Sequence, residues 1–443
     1  MKRIVLTLVA LLAAGAGLQA QDFDLNFENA TLRLDYVFCG DNAHQAIYFQ
    51  QALKTSEWAG RRNNLAAPLL EGNGQIRVLD PETGACLYAN SFSTLFQEWQ
   101  VEEEATRVQR AFENCFQVPF PKRPVDIEVF LMDTHRRRSS CLKHRIDPAD
   151  MLIRKAEDNG FSSAVVWQGG SLAESIDIVV VSEGYGAAEK AKFYRDAERV
   201  STALFRHEPF ASFRNRFTVR AVFAPSLDSG ASVPRTGDWK RTVVDSHFDT
   251  FYSDRYLTTS AQQKVCDLVG TVPFEQIVVM VNTDKYGGGG IYNSLTIMNS
   301  DHPTFNAVMV HEFGHAFGGL ADEYAYGEQV ETPYPADTEP WEPNITTLHD
   351  FASKWQDLLP QGTPVPTPLD DLDKQDVRRI WNTFTKEQKD LLNLKLGVYE
   401  GAGYQTHGVY RPVQECRMRI NECEEFCPVC ARAIIRMIDY YTR

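Results

Sequence analysis

Two histidines, a glutamate and an acidic pair are packed into the segment "VHEFGHAFGGLADEY", Val310 to Tyr324. On a helix the i, i+4 spacing sets His311 and His315 on one face, where both imidazoles can hold a single Zn²⁺. Glu312 then lies beside the metal, within reach of its bound water as a general base. The metal lowers the pKa of that water toward ~7 and polarises a carbonyl, so the chemistry this pattern supports is peptide-bond hydrolysis. A catalytic zinc keeps three protein ligands and an open position. Two neutral imidazoles and one carboxylate would complete the set, which directs attention to Asp322 and Glu323.

Spacing decides between those two. Metzincin proteases use H-E-x-x-H-x-x-G-x-x-H, and a strict count from His311 reaches Ala321, which has no ligand atom. With Gly319 rather than Gly318 as the turning residue the helix is one residue longer, and the Gly-x-x-ligand interval lands on Asp322. Asp322 is therefore the expected third ligand. Glu323 is the rival, since thermolysin-like sites use a glutamate, although theirs lies on a separate helix further along. Metzincins also place a methionine turn beneath the metal, and "RPVQECRMRINECEEFCPVCARAIIRMI" offers Met418 ahead of a helix starting near Pro428.

The elements that must position these groups follow from periodicity. Phe305, Val308, Met309, Phe313 and Phe317 make the histidine helix a buried one, and Ser300, Asp301 and Pro303 supply its start. Upstream, "SIDIVVVSEGY", "RFTVRAVFAPS" and "FEQIVVMVN" read as buried strands. "GAAEKAKFYRDAERVSTALFR" reads as a helix with Phe193, Val200 and Leu204 on one stripe. This pattern predicts an α/β catalytic domain. From Phe23 to about Val129, short alternating strands such as "ATLRLDYVF", "QIRVLD" and "VDIEVFLMD", with the turns "EGNG" and "DPETG", predict a β-sandwich. "IDPADMLIRKAEDNGFSSAVVWQGG" reads as a linker, and "PQGTPVPTPLDDLD" (360–373) as a proline-rich surface insertion. The expected fold is α+β: a leader at 1–20, an N-terminal β-sandwich at 21–160, and a metzincin-like α/β zinc peptidase domain at 161–443.

The first twenty residues, "MKRIVLTLVALLAAGAGLQA", have a basic start, an apolar run and a small-residue ending, the layout of a cleaved secretory signal. Export is the corresponding expectation, whether to the periplasm, the cell surface or the medium. No other stretch approaches the ~18 uninterrupted apolar residues of a membrane span. About 420 residues remain after cleavage, too many for one core, and 43% hydrophobic residues can fill two. The net charge of −14 argues against nucleic acid or an anionic membrane as partner. The basic run "HRRRSSCLKHR" reads as a solvated loop. A protein or peptide substrate is the expected partner; oligomeric state is not encoded in any pattern found.

Nine cysteines survive cleavage, an odd number that leaves at least one thiol free or paired between chains. Cys416, Cys423, Cys427 and Cys430 form C-x6-C-x3-C-x2-C. In an exported protein this favours one or two disulfides clamping the methionine turn to the last helix over a second, structural zinc; structural calcium is not expected either.

The chain resembles peptidase family M64, the bacterial metallopeptidases named for an immunoglobulin A protease. The resemblance is carried by "IDIVVVSEGY", "FRHEPFASFRNRFTVRAVFAPSLDSGAS", "VNTDKYGGGG", "HEFGHAFGGLADEY" and "GVYEGAGYQTHGVYRP" with the Met418 segment, covering about residues 175 to 435. It implies a metzincin-like zinc peptidase fold, often preceded by a β-sandwich, with His311, His315 and Asp322 as ligands to one zinc and Glu312 as base. The family name does not carry the immunoglobulin substrate to this chain.

Three further stretches bear on the cleft. Gly287 to Gly290 in "NTDKYGGGGIYNSLTIMNS" permit close backbone approach, and "SLTIM" is placed to hydrogen-bond an extended substrate as an edge strand. Tyr399, Tyr404 and Tyr410 are candidate donors to a developing oxyanion. "APSLDSGAS", with Ser226, Asp228 and Ser229, lacks a G-x-S-x-G elbow and reads as a structural or cleft-lining loop. The competing functional class is a surface protein that binds glycan or host protein through its β-sandwich and carries an inactive peptidase-like domain; the intact His311, Glu312 and His315 set argues against it.

Overall fold

The computed structural model describes residues 23–325, 334–369 and 377–443. The leader expected at 1–20 lies outside the described residues, as do residues 370–373 of the proline-rich stretch.

The first part of the chain runs α1 (Phe23–Asn26), β1 (Phe27–Gly40), β2 (Gln45–Lys54), β3 (Gly74–Leu79), β4 (Cys86–Phe92), α2 (Leu95–Trp99), β5 (Arg110–Pro121), β6 (Val125–Met132), β7 (Arg138–Ile146) and β8 (Arg154–Lys155). Its strands form two four-stranded sheets, ordered β5-β1-β2-β8 and β4-β3-β6-β7. Period-two alternation explains why they associate. Leu32, Leu34, Tyr36 and Phe38 leave β1 on one side and meet Ile76 and Val78 of β3 and Ile127 and Val129 of β6 in one apolar core.

The second part runs β9 (Ser162–Trp167), β10 (Ile176–Glu183), α3 (Lys190–Leu204), β11 (Phe217–Phe223), α4 (Gln262–Val269), β12 (Gln276–Val281), β13 (Gly288–Ile291), β14 (Leu295–Asn299) and α5 (Phe305–Ala316). Its six-stranded sheet has the order β13-β14-β12-β10-β11-β9. β14, β12, β10 and β11 are mutually parallel, and the two outer strands run antiparallel to their neighbours. Continuous apolar runs such as "IDIVVVSE" are what a sheet covered on both faces requires. Ile176, Ile178 and Val180 of β10 join the core under α3 and α5. Val179 and Val181 join a separate core that includes Val265 and Val269 of α4.

Two readings are corrected here. The stretch taken as linker carries β9, which pairs with β11 from Ser162 to Trp167. "SLTIM" is not an edge: β14 is hydrogen-bonded on both sides, by β12 and β13, so its backbone has no groups left for a substrate. The edge strand is the glycine run itself, and Gly288 already forms a bridge to Tyr256 on its outer side.

The remaining elements are α6 (Val377–Ile380), α7 (Lys386–Leu394), the hairpin β15 (Tyr399–Ala402) and β16 (Gln405–Arg411), and α8 (Pro428–Thr442). Ile434, Met437 and Ile438 of α8 pack with Met309 and Phe313 of α5 in the larger core. The chain is thus mixed α and β with several separate sheets, in keeping with the α+β expectation. No described helix is long and apolar enough to cross a membrane.

The two parts are tightly joined. Arg33, buried on β1, pairs with Asp35 at 2.7 Å and with Asp267 of α4 at 2.6 Å. The Ser93 amide donates to the Tyr292 carbonyl at 2.9 Å just beyond β13. These contacts seat α2, at the end of the β3–β4 hairpin, beside the edge strand.

Candidate active site

α5 buries Phe305, Val308, Met309, Val310 and Phe313, which fixes its rotation and leaves His311, Glu312 and His315 facing a cleft of 1190 Å³. The helix comes unusually close to β13. A Cβ built on Gly290 would lie 2.2 Å from the Glu312 carbonyl oxygen and 3.0 Å from His315 Cβ. Glycine at this position therefore sets the spacing between the edge strand and the residues that could do chemistry.

The histidines are aimed by their outer nitrogens. His311 Nδ1 lies 3.0 Å from the Arg417 carbonyl and His315 Nδ1 2.6 Å from the Leu320 carbonyl. A carbonyl can only accept, so each Nδ1 carries a proton and each Nε2 is turned inward, the orientation that supports a metal-binding histidine once Nε2 is deprotonated. The two Nε2 atoms are 3.0 Å apart.

α5 ends as the spacing required. Gly319, at φ +62°, takes the left-handed turn, and the amides of Gly319 and Leu320 cover the His315 and Gly314 carbonyls at 3.0 and 3.2 Å. The chain returns to bring Asp322 Oδ1 within 3.1 Å of His311 Nε2 and 3.3 Å of His315 Nε2. That oxygen is buried, with the two imidazole nitrogens as its polar neighbours. Ala321 is a spacer whose amide donates to Asn344 Oδ1 at 2.8 Å. Glu323 leaves the extended chain on the other side and makes no approach to the histidines: its Oε1 accepts from Asn344 and from the Cys430 thiol at 2.9 and 3.0 Å.

Met418 is fully buried, and a Cβ on Gly314 would meet its sulfur at 2.9 Å, which places the thioether against the helix between the two histidines. The Met418 carbonyl accepts from the Glu323 amide at 2.9 Å, tying this floor to the segment that carries Asp322. Of the three tyrosines, only Tyr404 lines the cleft. Gly403 and Tyr404, both at positive φ, form the two-residue turn of the β15–β16 hairpin, and their amides bond the Asp322 and Tyr324 carbonyls. The Tyr404 hydroxyl donates to Asp322 Oδ2. Tyr399 is buried with its hydroxyl 3.3 Å from the Lys395 carbonyl, and the Tyr410 backbone pairs with Thr346. The "APSLDSGAS" loop is structural: Ser226 Oγ accepts from the Gly184 and Val243 amides, and Asp228 pairs with Arg241 at 2.9 Å.

Electrostatics follow from this crowding. Burial pulls the His315 imidazolium down, but Asp322 and then Glu312 outweigh it and carry the pKa up to about 9. Burial also works against the Asp322 carboxylate, and the facing His315 and His311 hold it far below the usual carboxylate range. Glu312 is raised by burial, with the two imidazoles opposing. A site that stabilises its carboxylate through imidazolium protons is one where a cation can replace those protons.

Sequence reasoning found no chemistry in the first part of the chain, yet it delivers one group to this cleft. α2 buries Leu95, Phe96 and Trp99, and its remaining face points Glu98 toward Glu312 and His315. Glu98 accepts from the Tyr256 hydroxyl, and burial lifts its pKa to about 7. Arg255, next to Tyr256, also lines the cleft and acts on Glu312.

A family model described as IgA Peptidase M64 matches residues 165–438, and one described as Peptidase M64 N-terminus matches residues 22–143. No curated protein matches the chain.

Proposed function

Because the chain belongs to the IgA Peptidase M64 family, it is a peptidase acting on protein or peptide, and we propose that it is a zinc-dependent endopeptidase with Glu312 as general base. The observation that carries this reading is the convergence of His311 Nε2, His315 Nε2 and the buried Asp322 Oδ1 within 3.3 Å. Two imidazoles and a carboxylate suit a borderline cation such as Zn²⁺ and leave a coordination position open to the cleft.

His311, His315 and Asp322 would hold a Zn²⁺, which would supply Lewis acidity to acidify a water and polarise the scissile carbonyl. Glu312 takes the proton from the attacking water and delivers it to the leaving amine. Its partial burial favours that role, because a raised pKa makes the carboxylate a better proton acceptor. The Tyr404 hydroxyl, which donates to Asp322 Oδ2, lines the cleft, and we assign it to the carbonyl oxygen, to which it would turn from that carboxylate as charge develops there. The Arg417 and Leu320 carbonyls keep the imidazoles from rotating.

We read Met418 as the methionine turn of a metzincin-like domain at 161–443, preceded by an N-terminal β-sandwich at 21–160. The membership of β8 in the first sheets and of β9 in the six-stranded sheet supports a boundary between them. Residues 1–20 we read as a cleaved leader and the enzyme as exported. An inactive binding protein has no physical use for a cleft-facing carboxylate beside two inward-turned imidazoles, which favours the enzyme. Glu312→Ala should retain zinc and lose cleavage of a denatured protein substrate, while Asp322→Ala should lose both. Unchanged hydrolysis by the Glu312 variant would overturn the mechanism.

A further inference from the structure

The thiols read from sequence as disulfide partners are arranged differently. All nine cysteines are free thiols. Cys423 stands apart, with its sulfur near the Glu425 carbonyl and the Asn393 amide. The other three, Cys416, Cys427 and Cys430, close instead on Glu323. Their three sulfurs and one carboxylate oxygen all lie within 4.8 Å of one another, and all four residues are fully buried.

From this geometry we infer a second metal site, a closed structural Zn²⁺ centre formed by Glu323, Cys416, Cys427 and Cys430. Four features of the cluster lead to it. The Cys416 and Cys430 sulfurs are 3.9 Å apart. A tetrahedral zinc with Zn–S bonds of ~2.3 Å has sulfur–sulfur edges of about 3.8 Å, whereas a disulfide needs ~2.05 Å. Second, Cys427-Pro428-Val429-Cys430 is a C-x2-C pair at the start of α8, with Cys427 as its N-cap. Backbone amides already point at the sulfurs: Cys427 N at Cys416 Sγ, 3.3 Å, and Cys430 N at Cys427 Sγ, 3.5 Å. Such amides and the positive end of a 15-residue helix favour thiolates.

Third, Glu323 Oε2 is buried without a hydrogen-bond partner, while Oε1 is held by Asn344 and Cys430. A carboxylate placed in a core among thiols is costly unless a cation compensates it. Fourth, the cluster offers four ligand atoms, all on residues buried away from solvent. Three thiolates select zinc over the hard cations, and a closed four-ligand set is structural.

The site would tie together the two segments that furnish the cleft. Glu323 is adjacent to Asp322, and Cys416 is adjacent to Arg417, whose carbonyl aims His311. The inference does not rest on the catalytic reading, since it uses none of that site's donors.

Cobalt substitution and metal counting test it. Co²⁺-loaded wild-type protein should show a thiolate-to-cobalt charge-transfer band in the near ultraviolet, which a histidine and carboxylate site cannot give. The His311→Ala/His315→Ala variant should keep this band and one zinc equivalent where the wild type has two. Cys427→Ser should lose the band. Absence of the band from the wild type, or a disulfide linking any two of Cys416, Cys427 and Cys430 in an unreduced digest, would overturn the site. If the histidine variant instead keeps the full wild-type metal content together with the band, the catalytic reading fails and the thiolate centre stands.

Discussion

Gly290→Ala is a small change with a calculable effect. Gly290 lies at negative φ, so alanine adds no backbone strain and the consequence is steric alone. Its Cβ would sit 2.2 Å from the Glu312 carbonyl oxygen, 3.0 Å from the Glu312 carbonyl carbon and 3.0 Å from His315 Cβ. Ordinary carbon contacts are ~3.5 Å, so α5 must retreat from β13 by about 1 Å or the strand must yield by as much. Neither obstacle is the free end of a side chain, and overpacking of this kind costs about 1–3 kcal/mol. The same displacement moves Glu312 and His315 relative to the cleft wall, where ~1 Å of misplacement is worth about 10²-fold in rate. The expected outcome is a roughly hundredfold fall in kcat/KM, with a lowered urea midpoint. Gly289→Ala is the control, because its Cβ meets chiefly the Tyr256 ring at 2.9 Å, which can move. Near wild-type kcat/KM for Gly290→Ala, with normal zinc content, would refute the claim that this glycine sets the working distance.

Tyr404→Phe should lower kcat by about 10²-fold with zinc content unchanged, if the hydroxyl serves the oxyanion; an unaltered kcat in steady-state assays removes it from that role. For Glu98 the folded pKa is raised to about 7, so its contribution to stability is present below its unfolded value of ~4.3 and is lost as pH rises through 7. Glu98→Gln should therefore gain stability over the wild type above pH 7 and remove an inflection near 7 from the pH–rate profile. In the metal-free protein, His315 contributes stability below ~6.5 that is lost as pH rises through about 9. Asp322, depressed, contributes above ~3.9 and loses that only in acid. Zinc must displace the His315 proton, so the rise in Tm on adding zinc should grow between pH 6.5 and 9; a rise independent of pH would contradict the imidazolium–carboxylate description.

How much was legible in the sequence depends on how locally each geometry is determined. The histidine pair and Glu312 lie within five residues, and helix periodicity alone brings them to one face. Asp322 could be reached because a glycine must supply the left-handed turn, and Gly319 does so at +62°. The glycine strand was missed for the opposite reason: a run of glycine has no strand propensity, so "SLTIM" beside it drew the edge assignment. β9 escaped notice because "SSAVVW" pairs on one side only and is largely exposed, without the alternation of a half-buried strand. Glu98 looks like a solvated helix residue in "LFQEW"; only the docking of α2 on the edge strand turns it inward. The cysteine spacing suggested one group of four, yet spacing cannot show that Glu323 displaces Cys423 from it.

The carbonyl that aims His311 belongs to Arg417, 106 residues further along the chain, and Met418 beside it forms the floor. A chain that has folded only as far as α5 therefore has the catalytic motif without the contacts that orient it. For a protein able to cut polypeptides this acts as a safeguard: the helix carrying the motif gains its orienting contact only when the segment around Arg417 has docked.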